Sequence, residues 1–386
     1  MRIGIFTDTY LPNTNGVVTV IRLMERELRK KGHEVCIFAP VYPGYKDVAS
    51  GIYRFPSLKF LQYEGLRVAI PYDRKALRVI SSLDMIHSHD PFSIGLLALW
   101  ASKRYHIPHI FTYHGLLTEY RNYLPRPIRP SRRTVERLSR VFCDRCDAII
   151  SPSVQMKRVL KGYGMASPIF PLPFGVDEEE FSRPITWNVR AALDLPTESL
   201  LLHVGRLGWE KNVEFLLRSF KRLLSYQDGI RLIIAGDGPR RTALENCAAK
   251  LGIAPYVVFT GHLPREMLID LYKQATLFVF SSKTETLGLV LLEAMMAGIP
   301  PVALGKMGVL DVVSSGKTGI LAKEDEEDFA ACCHSLLQNE EKRRTMGKAA
   351  RQHAIAHSAQ ASMVRLLEIY EEARRWQKQP PVRFDR

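Results

Sequence analysis

Short apolar runs alternate with helical patterns along both halves of this 386-residue chain. The first half has five such runs, at residues 3–7, 35–39, 85–88, 108–112 and 148–151. The second half has five more, at residues 200–204, 231–235, 256–260, 275–280 and 301–304. Because strands that are separated by helices pair in parallel, the pattern predicts an α/β fold with two doubly wound sheets. Ligands of such sheets bind beyond the carboxyl ends of the strands.

A proline-rich stretch separates the two sets of runs. Residues 170–177 read FPLPFGVD, and Pro184 follows, which is typical of a linker between domains. The length of the chain and its 46% hydrophobic content are sufficient for two cores. We therefore expect one α/β domain over residues 1–175 and a second over residues 176–360.

The positive charge of the chain is concentrated in its first half. The formal net charge is +14, and residues 1–177 carry 26 Lys and Arg against 14 Asp and Glu, or +12, which leaves +2 for the remainder. A one-sided positive field attracts nucleic acid or an anionic membrane surface. An N-terminal secretory signal is not expected, because Asp8 would lie inside its apolar h-region. The longest apolar run, residues 93–101, is too short to span a bilayer. We therefore expect a soluble or peripheral membrane protein.

The six cysteines are scattered, and one pair has the spacing Cys143-x-x-Cys146. No second pair and no histidines at zinc spacing accompany it, so we interpret the pair as reduced thiols in a helix. The cysteine usage favours the cytosol. No acidic D-x-D pair stands at a predicted strand end to hold Mg²⁺, so no metal is expected.

A run of arginines follows the fourth strand of the first half. From Ser131 it has the pattern of an amphipathic helix, with Arg132, Arg133 and Arg137 on one side, and we expect the apolar residues on the other side. Those apolar residues are Val135, Leu138, Val141 and Phe142. The helix could be a solvated face with its apolar side in the core, or it could dock onto anionic lipid head groups. A second mixed patch, residues 55–72, could contact a membrane or form a β-rich insertion.

Two strand ends of the first half carry candidate ligand-binding groups. The segment 8–16 ends in Gly16 at the entry of a helix, where a backbone amide can approach an anion, although a plain turn is the alternative. His114 follows the strand at 108–112 and precedes Glu119 and Tyr120. A histidine in that position can line a pocket or serve as a structural hydrogen-bonding group.

Strand ends of the second half carry charged residues in loops. Arg206 and Lys211 follow the first strand, as binding of a diphosphate requires, and Gly236 opens a tight turn after the second. The strand at 275–280 leads into a loop with Glu285 and then, from about residue 287, into an apolar helix with Glu293. Carboxylates accept hydrogen bonds from sugar hydroxyls. These groups converge on one anionic, hydroxyl-rich ligand, with Arg206 and Lys211 neutralising a leaving diphosphate.

These motifs together resemble a known enzyme family. The segments GRLGWEKN, GDGP, FTGH and the Glu285-x7-Glu293 element, in this order and spacing, are similar to the retaining family 4 glycosyltransferases of the GT-B fold, and DTYLPNTNGV is similar to their first loop. The resemblance implies two Rossmann-like domains that face each other across a cleft. It also implies that the last segment, residues 361–386, contains a helix that crosses back to the N-terminal domain.

The resemblance further implies a nucleotide-sugar donor in the C-terminal domain and an acceptor in the N-terminal domain. Arg206 and Lys211 would hold the diphosphate, Glu293 the ribose and Glu285 the transferred sugar. The amides of Gly288 and Leu289 would support the phosphates, Gly236 would lie in the donor site, Gly16 would approach the donor from the opposite domain, and His114 would contact the donor sugar. In such enzymes the leaving phosphate is thought to deprotonate the acceptor, with no metal or other cofactor.

The acceptor is indicated by a narrower resemblance. The segment TYHGLLTEYRNY, followed by the basic helix, looks most like bacterial diacylglycerol glucosyltransferases, with Glu119 and Tyr120 matching in part and residues 115–117 departing. This implies transfer of glucose from UDP-glucose to a lipid by a cytoplasmic enzyme bound to the inner face of the membrane through Arg132, Arg133 and Arg137. A GDP-mannose-dependent mannosyltransferase remains the alternative.

Two other classes of protein fit the sequence less well. A nucleic-acid-binding protein is disfavoured because no zinc pairs, RNP-like pattern or helix-turn-helix spacing is present. A dehydrogenase is disfavoured because no G-x-G-x-x-G follows residues 3–7.

Overall fold

The computed structural model describes residues 1–13, 15–60, 67–121, 124–195 and 199–378. It divides into two compact units. The first unit comprises Met1–Phe174 and the C-terminal residues from Ala359, and the second comprises Gly175–Ser358. These divisions lie within two residues of the boundaries expected after residues 175 and 360.

The first unit is built on a seven-stranded parallel sheet in the order β3-β2-β1-β6-β7-β8-β9. Its strands are β1 Arg2–Phe6, β2 Glu34–Pro40, β3 Ile52–Phe55, β6 Met85–Ser88, β7 His109–Thr112, β8 Ala148–Ser151 and β9 Ile169–Pro171. A separate antiparallel hairpin consists of β4 Ser57–Lys59 and β5 Arg67–Ala69. The strands are nearly continuous apolar runs because helices cover a parallel sheet.

The helices of the first unit connect these strands. They are α1 Gly16–Lys30, α2 Arg74–Ile80, α3 Ser93–Tyr105, α4 Leu117–Tyr120, α5 Arg132–Cys143, α6 Val154–Gly162 and α16 Ala359–Lys378. Helix α16 comes from the other end of the chain and joins this unit. Tyr370 of α16 is buried, and its Oη lies 2.7 Å from Nδ1 of His87 on β6.

The second unit is built on a six-stranded parallel sheet in the order β12-β11-β10-β13-β14-β15. Its strands are β10 Ser199–Val204, β11 Ile230–Ala235, β12 Val257–Gly261, β13 Leu277–Phe280, β14 Pro301–Leu304 and β15 Ile320–Ala322. Its helices are α7 Glu178–Ser182, α8 Val189–Ala192, α9 Val213–Leu224, α10 Arg241–Lys250, α11 Arg265–Gln274, α12 Leu289–Met296, α13 Val309–Val312, α14 Glu326–Leu337 and α15 Glu340–Ala356. Apolar clusters fill both faces of the sheet.

The structure corrects several sequence-based expectations about elements. The first residues of the expected linker form β9, because Phe170 pairs with Ile150 at the edge of the first sheet. Helix α12 begins at Leu289 rather than near residue 287, because Gly288 has φ 83° and ends the preceding loop. Cys146 lies beyond the end of α5 rather than inside a helix. Strands β3, β9 and β15 were not expected, whereas β4 and β5 lie in the stretch 55–72, for which a β-rich insertion was one of the two interpretations.

Helix α5 does not bury its whole apolar side, as the first of its two interpretations required. Leu138 and Val141 are 62% and 39% exposed. The helix reaches the core through Ser139, Phe142 and Cys143 instead. Some residues of the segments discussed above lie outside the described residues. They are Thr14, residues 61–66 of the second mixed patch, Tyr123 and residues 379–386.

Candidate active site

Two loops of the second unit meet at the carboxyl ends of neighbouring strands. Strands β10 and β13 pair in parallel, so the loops that follow them leave the same edge of the sheet. Ser281 Oγ donates a hydrogen bond to the carbonyl of Lys211 (2.9 Å), and Ser282 Oγ donates one to the carbonyl of Glu210 (3.0 Å). These bonds hold the two loops together from adjacent strand ends.

The joined loops bring Lys211 and Glu285 into direct contact. Lys211 Nζ lies 2.5 Å from Glu285 Oε2, and the two side chains are 17% and 16% exposed. The ammonium also lies 5.6 Å from the centre of the Phe280 ring. Lys211 ends a short 3-10 turn, and Asn212 then adopts φ 53° before α9 begins. The pair presents one positive and one negative group, which can bind an anion and a sugar hydroxyl side by side.

Arg206 lies in the same loop as Lys211. Its guanidinium is 4.0 Å from the carboxylate of Glu210, and its side chain is 30% exposed. A guanidinium that is partly open to solvent is accessible to a phosphate. The structure therefore places both expected diphosphate ligands in one loop, after β10.

The turn that begins with Gly236 packs directly on this loop. A Cβ on Gly236 would lie 2.1 Å from the carbonyl oxygen of Gly205, and Gly236 has φ 132°. The amide of Leu207 donates to the carbonyl of Asp237 (2.9 Å), and the amide of Arg240 donates to the carbonyl of Leu207 (3.0 Å). Gly236 is therefore required for close backbone approach, which shapes the loop that carries Arg206.

Glu293 lies on α12, and its carboxylate already has two partners. Tyr272 Oη donates to Glu293 Oε2 (2.9 Å), and the guanidinium of Arg265 contacts Oε1. Arg265 also pairs with Glu180 at 2.8 Å. Burial lowers the pKa of Arg265, but the carboxylates of Glu293 and Glu180 outweigh this effect and hold the pKa above its ordinary value. Since a carboxylate can accept about four hydrogen bonds, ribose hydroxyls would share its oxygens with Tyr272 and Arg265.

Sequence analysis did not single out Tyr272 and Arg265. Both belong to α11, whose pattern is that of an ordinary amphipathic helix, and only the packing of α11 beside α12 makes them partners of Glu293. The backbone of Gly288 and Leu289 forms the start of α12, with Gly288 at the N-cap position.

In the first unit, His114 follows β7 and is one of three stacked histidines, His87, His89 and His114. His114 Nε2 lies 2.7 Å from His89 Nδ1, and the two rings stack with their centres 5.0 Å apart. Burial lowers the pKa of His114 to about 3, so its imidazole is neutral at physiological pH. His89 lies just after β6, the neighbour of β7, and its Nε2 is buried without a hydrogen-bond partner among the described residues.

Asp8, shortly after β1, and Asp90, shortly after β6, form an acidic pair that was not predicted from the sequence. Asp8 Oδ1 accepts hydrogen bonds from Ser93 Oγ and from the amide of Ile94 at the start of α3. Asp90 Oδ2 accepts from the amide of Asp8 at 2.9 Å. Burial, followed by the nearby charge of Asp90, raises the pKa of Asp8 to about 7. The available sequence signal was Asp90, which closes the segment HSHD at the end of the third apolar run, together with Asp8 after the first.

The remaining expected site residues lie in separate parts of the first unit. Gly16 opens α1, and Asn15 caps the helix by accepting a hydrogen bond from the amide of Val18 (3.0 Å). Glu119 and Tyr120 lie on the short helix α4, and Tyr120 is 44% exposed. On α5, Arg132 pairs with Glu136 at 2.9 Å, and Arg133 and Arg137 are exposed.

The described residues contain neither a metal-binding cluster nor a membrane-spanning helix. No group of three or more His, Cys, Asp or Glu side chains there has an arrangement that could hold a metal ion. No helix in the same ranges combines the length and the apolar character needed to cross a bilayer.

Comparisons with known proteins identify the family. Residues 14–180 match the model described as Glycosyltransferase Family 4, and residues 186–353 match Glycosyl transferases group 1. The chain is 34% identical over 350 residues to the alpha-monoglucosyldiacylglycerol synthase of Streptococcus pneumoniae, covering 87% of this chain and 78% of that protein. The chain belongs to the family 4 glycosyltransferases. The expected class of hexosyltransferase is therefore confirmed.

Other relatives of this glycosyltransferase are named for a different donor sugar. It is 28% identical to a GDP-mannose-dependent alpha-mannosyltransferase of Corynebacterium glutamicum, over 85% of this chain and 78% of that protein. Its fold matches the crystal structure of Anabaena HepE in complex with UDP-glucose, with a TM-score of 0.79, 17% identity and coverage of 96% of this chain and 100% of the other. The GT-B fold with two Rossmann-like domains is thus confirmed.

Proposed function

We propose that this glycosyltransferase moves glucose from UDP-glucose onto a membrane lipid such as diacylglycerol, with retention of configuration. The contact between Lys211 and Glu285 is the observation that supports binding of a nucleotide-sugar donor. The likeness to the S. pneumoniae synthase, whose name specifies a glucosyldiacylglycerol product, supports the acceptor. Because UDP-glucose is an α-linked donor, the alpha product in that name supports retention.

In the proposed donor site, the second unit provides all the ligands of the nucleotide. Lys211 and Arg206 compensate the diphosphate charge, which grows as the glycosidic bond breaks. Lys211 reaches the phosphate only by sharing its ammonium with Glu285, 2.5 Å away, which leaves Oε1 of Glu285 for a sugar hydroxyl. Glu293 accepts the ribose hydroxyls. No metal is needed, because these cations neutralise the leaving group.

The proposed acceptor part depends on an exposed apolar face of the first unit. On α3 and its N-cap, Phe92, Leu96 and Trp100 are 43%, 57% and 48% exposed at a spacing of four residues. Leu138 and Val141 are further exposed apolar side chains, on α5, whose Phe142 ring lies 3.5 Å from the position of a Cβ on Gly95 of α3. Large apolar side chains exposed in such numbers are typical of a contact with another surface.

The charge around that face matches an anionic lipid surface. Arg133 and Arg137 are exposed on α5 near Leu138 and Val141. The hairpin β4–β5 adds the exposed Leu58 and Val68. Apolar side chains that insert between acyl chains, beside arginines that contact phosphates, are the two components of interfacial binding. We therefore place the enzyme on the cytoplasmic, inner face of the membrane as a peripheral protein.

The first experiment is a transfer assay with purified protein. UDP-glucose, UDP-galactose and GDP-mannose are each supplied with diacylglycerol in anionic micelles, and the glycolipid product and its anomeric configuration are analysed. We expect an α-glucosyl lipid from UDP-glucose only. A product from GDP-mannose alone would refute the donor assignment, and transfer confined to soluble sugars would refute the lipid acceptor.

The membrane part has its own test by vesicle flotation. Arg132, Arg133 and Arg137 are changed together to Gln, with Lys221, Lys250 and Lys348 changed to Gln as a control of equal charge; these three lysines are exposed residues of the second unit. We expect the first variant to lose binding to anionic vesicles and to keep UDP binding, and the control to retain both. Equal loss in the two variants would show that net charge alone is responsible.

A GDP-mannose-dependent mannosyltransferase is the second candidate, acting on phosphatidylinositol or another acceptor. It is favoured by the mannosyltransferase relatives, of which one is 29% identical over 336 residues. A thermal shift assay separates the candidates, because only the nucleotide that binds the folded protein raises its melting temperature.

A further inference from the structure

The first unit contains a cavity of about 710 Å³ that none of the roles above uses. It lies at the open edge of the seven-stranded sheet, where β9 is the last strand. Helix α6 contributes Lys157 and Lys161 to its wall, α16 contributes Arg365, and Phe170 and Pro171 of β9 form another part of the wall. His114, the proposed donor contact in this unit, follows β7, which is two strands away.

The wall of this cavity is cationic. Three of its side chains carry positive charge, and none carries negative charge. Lys157 and Lys161 lie one turn apart on α6, where like charges repel. Neither ammonium has a carboxylate within 4.0 Å or a hydrogen-bond partner among the described residues. Two unpaired cations in a concave site concentrate positive potential there and attract an anion.

Two glutamates of α16 hold one nitrogen of the Arg365 guanidinium, and its other edge is available for a ligand. Nη1 pairs with Glu368 at 2.7 Å and with Glu372 at 3.6 Å. Nε and Nη2 have no hydrogen-bond partner in the part of the chain that the structure describes. The guanidinium carbon lies 5.9 Å from the centre of the Phe170 ring, and this ring stacks on Trp376 at 6.1 Å. The free Nε–Nη2 edge has the geometry that binds two oxygens of one phosphate.

The edge of β9 favours a small anion over an added peptide strand. The amide of Ile149 donates to the carbonyl of Pro168, and the amide of Leu172 donates to the carbonyl of Ser151, so both bonds face β8. Because the ladder alternates, the amide of Ile169 faces the open edge. Pro171, the other residue of β9 that faces this edge, has no amide hydrogen, so the edge is a poor partner for another strand.

We propose that this cavity binds a phosphate-bearing anion at a site separate from glycosyl transfer. Lys157 and Lys161 provide charge, and Arg365 binds two phosphate oxygens through Nε and Nη2. The phosphate could belong to a lipid head group or to a small soluble phosphate ester. The proposal does not depend on the donor or acceptor assigned above.

The test measures binding of glycerol phosphate to the full chain in the presence of saturating UDP. Trp376 lies beside the cavity, so the fluorescence change that is absent in Trp376→Phe reports on this site alone. We expect Lys157→Gln/Lys161→Gln to weaken binding at least tenfold. Arg365→Lys, which keeps the charge and loses the planar fork, should also weaken it, by a smaller factor.

Lys221→Gln/Lys250→Gln removes the same charge from exposed positions of the second unit and should leave the affinity within twofold. Equal weakening by both double variants, or no Trp376-dependent change at all, would overturn the proposal. Melting temperatures confirm that each variant is folded.

A second arm identifies the source of the phosphate. Vesicles of phosphatidylcholine with and without phosphatidylglycerol replace glycerol phosphate. If only the phosphatidylglycerol vesicles give the Trp376-dependent change, and Lys157→Gln/Lys161→Gln reduces it, the ligand is a lipid head group. If only glycerol phosphate gives the change, the ligand is a soluble phosphate. A protein that fails to bind UDP but keeps this response would refute the proposed function and leave the anion site intact.

Discussion

The contact between Lys211 and Glu285 makes a quantitative prediction about stability. At 2.5 Å and an effective dielectric constant of about 20, the Coulomb attraction of the pair is about 7 kcal/mol before desolvation is subtracted. Removing one member of a fully buried pair costs about 3–5 kcal/mol, mostly because the other charge stays buried. Since about a sixth of each side chain is exposed, we expect about 2–3 kcal/mol for Lys211→Met or Glu285→Gln.

The prediction is measured by thermal unfolding of both single variants and the double variant. For a unit of 150–250 residues, about 2–3 kcal/mol corresponds to a fall of about 4–12 °C in the melting temperature. The double variant has no unpaired charge, so it should be more stable than the sum of the single effects predicts, by about 2 kcal/mol. Strict additivity would refute the inference that the two charges depend on each other.

The same variants separate the structural role of Lys211 from its proposed role in donor binding. UDP at about 100 times its Kd stabilises a protein by about 2.7 kcal/mol. The double variant restores charge balance without an ammonium, so it should recover stability and still lack most of the UDP-induced shift. A double variant with a wild-type UDP shift would show that Lys211 does not hold the diphosphate.

Two further predictions follow from the backbone and the acidic pair. Gly236→Ala should lower the free energy of unfolding by more than about 3 kcal/mol, because its Cβ would lie 2.1 Å from the Gly205 oxygen. Gly229→Ala is the control, since φ is 64° there and the space is open, and it should cost about 1 kcal/mol. Both are measured by urea unfolding, and equal costs would contradict the close-approach argument. The pKa of Asp8 is raised to about 7, so its contribution to stability is present at low pH and is lost as pH rises through about 7. Asp8→Asn should therefore become more stable relative to the wild type as pH rises from about 4 to about 7, and parallel pH profiles of the two proteins would refute this.

The sequence determined the fold class and the position of most strands. Strands β6, β8 and β14 have the bounds that the apolar runs predict, because strands buried on both faces are continuous apolar segments. Strands β3, β9 and β15 were missed because they give no long apolar run: β3 contains Arg54, β9 is three residues long and ends in Pro171, and β15 has only three residues. The motif set, with the resemblance it implied, also determined the enzyme class, because its charged residues follow the strands at fixed spacing.

Only the tertiary structure decided which of these residues meet. The sequence places Lys211 and Glu285 74 residues apart, and their contact exists because β10 and β13 are neighbours in the sheet. It likewise gave no indication that Glu293 shares its oxygens with Tyr272 and Arg265. The arrangement of Lys157, Lys161 and Arg365 around one cavity depends on α16 returning to the first unit from the end of the chain. Local patterns record which face of an element is buried, whereas contacts between distant segments depend on strand order and helix packing, which those patterns do not encode.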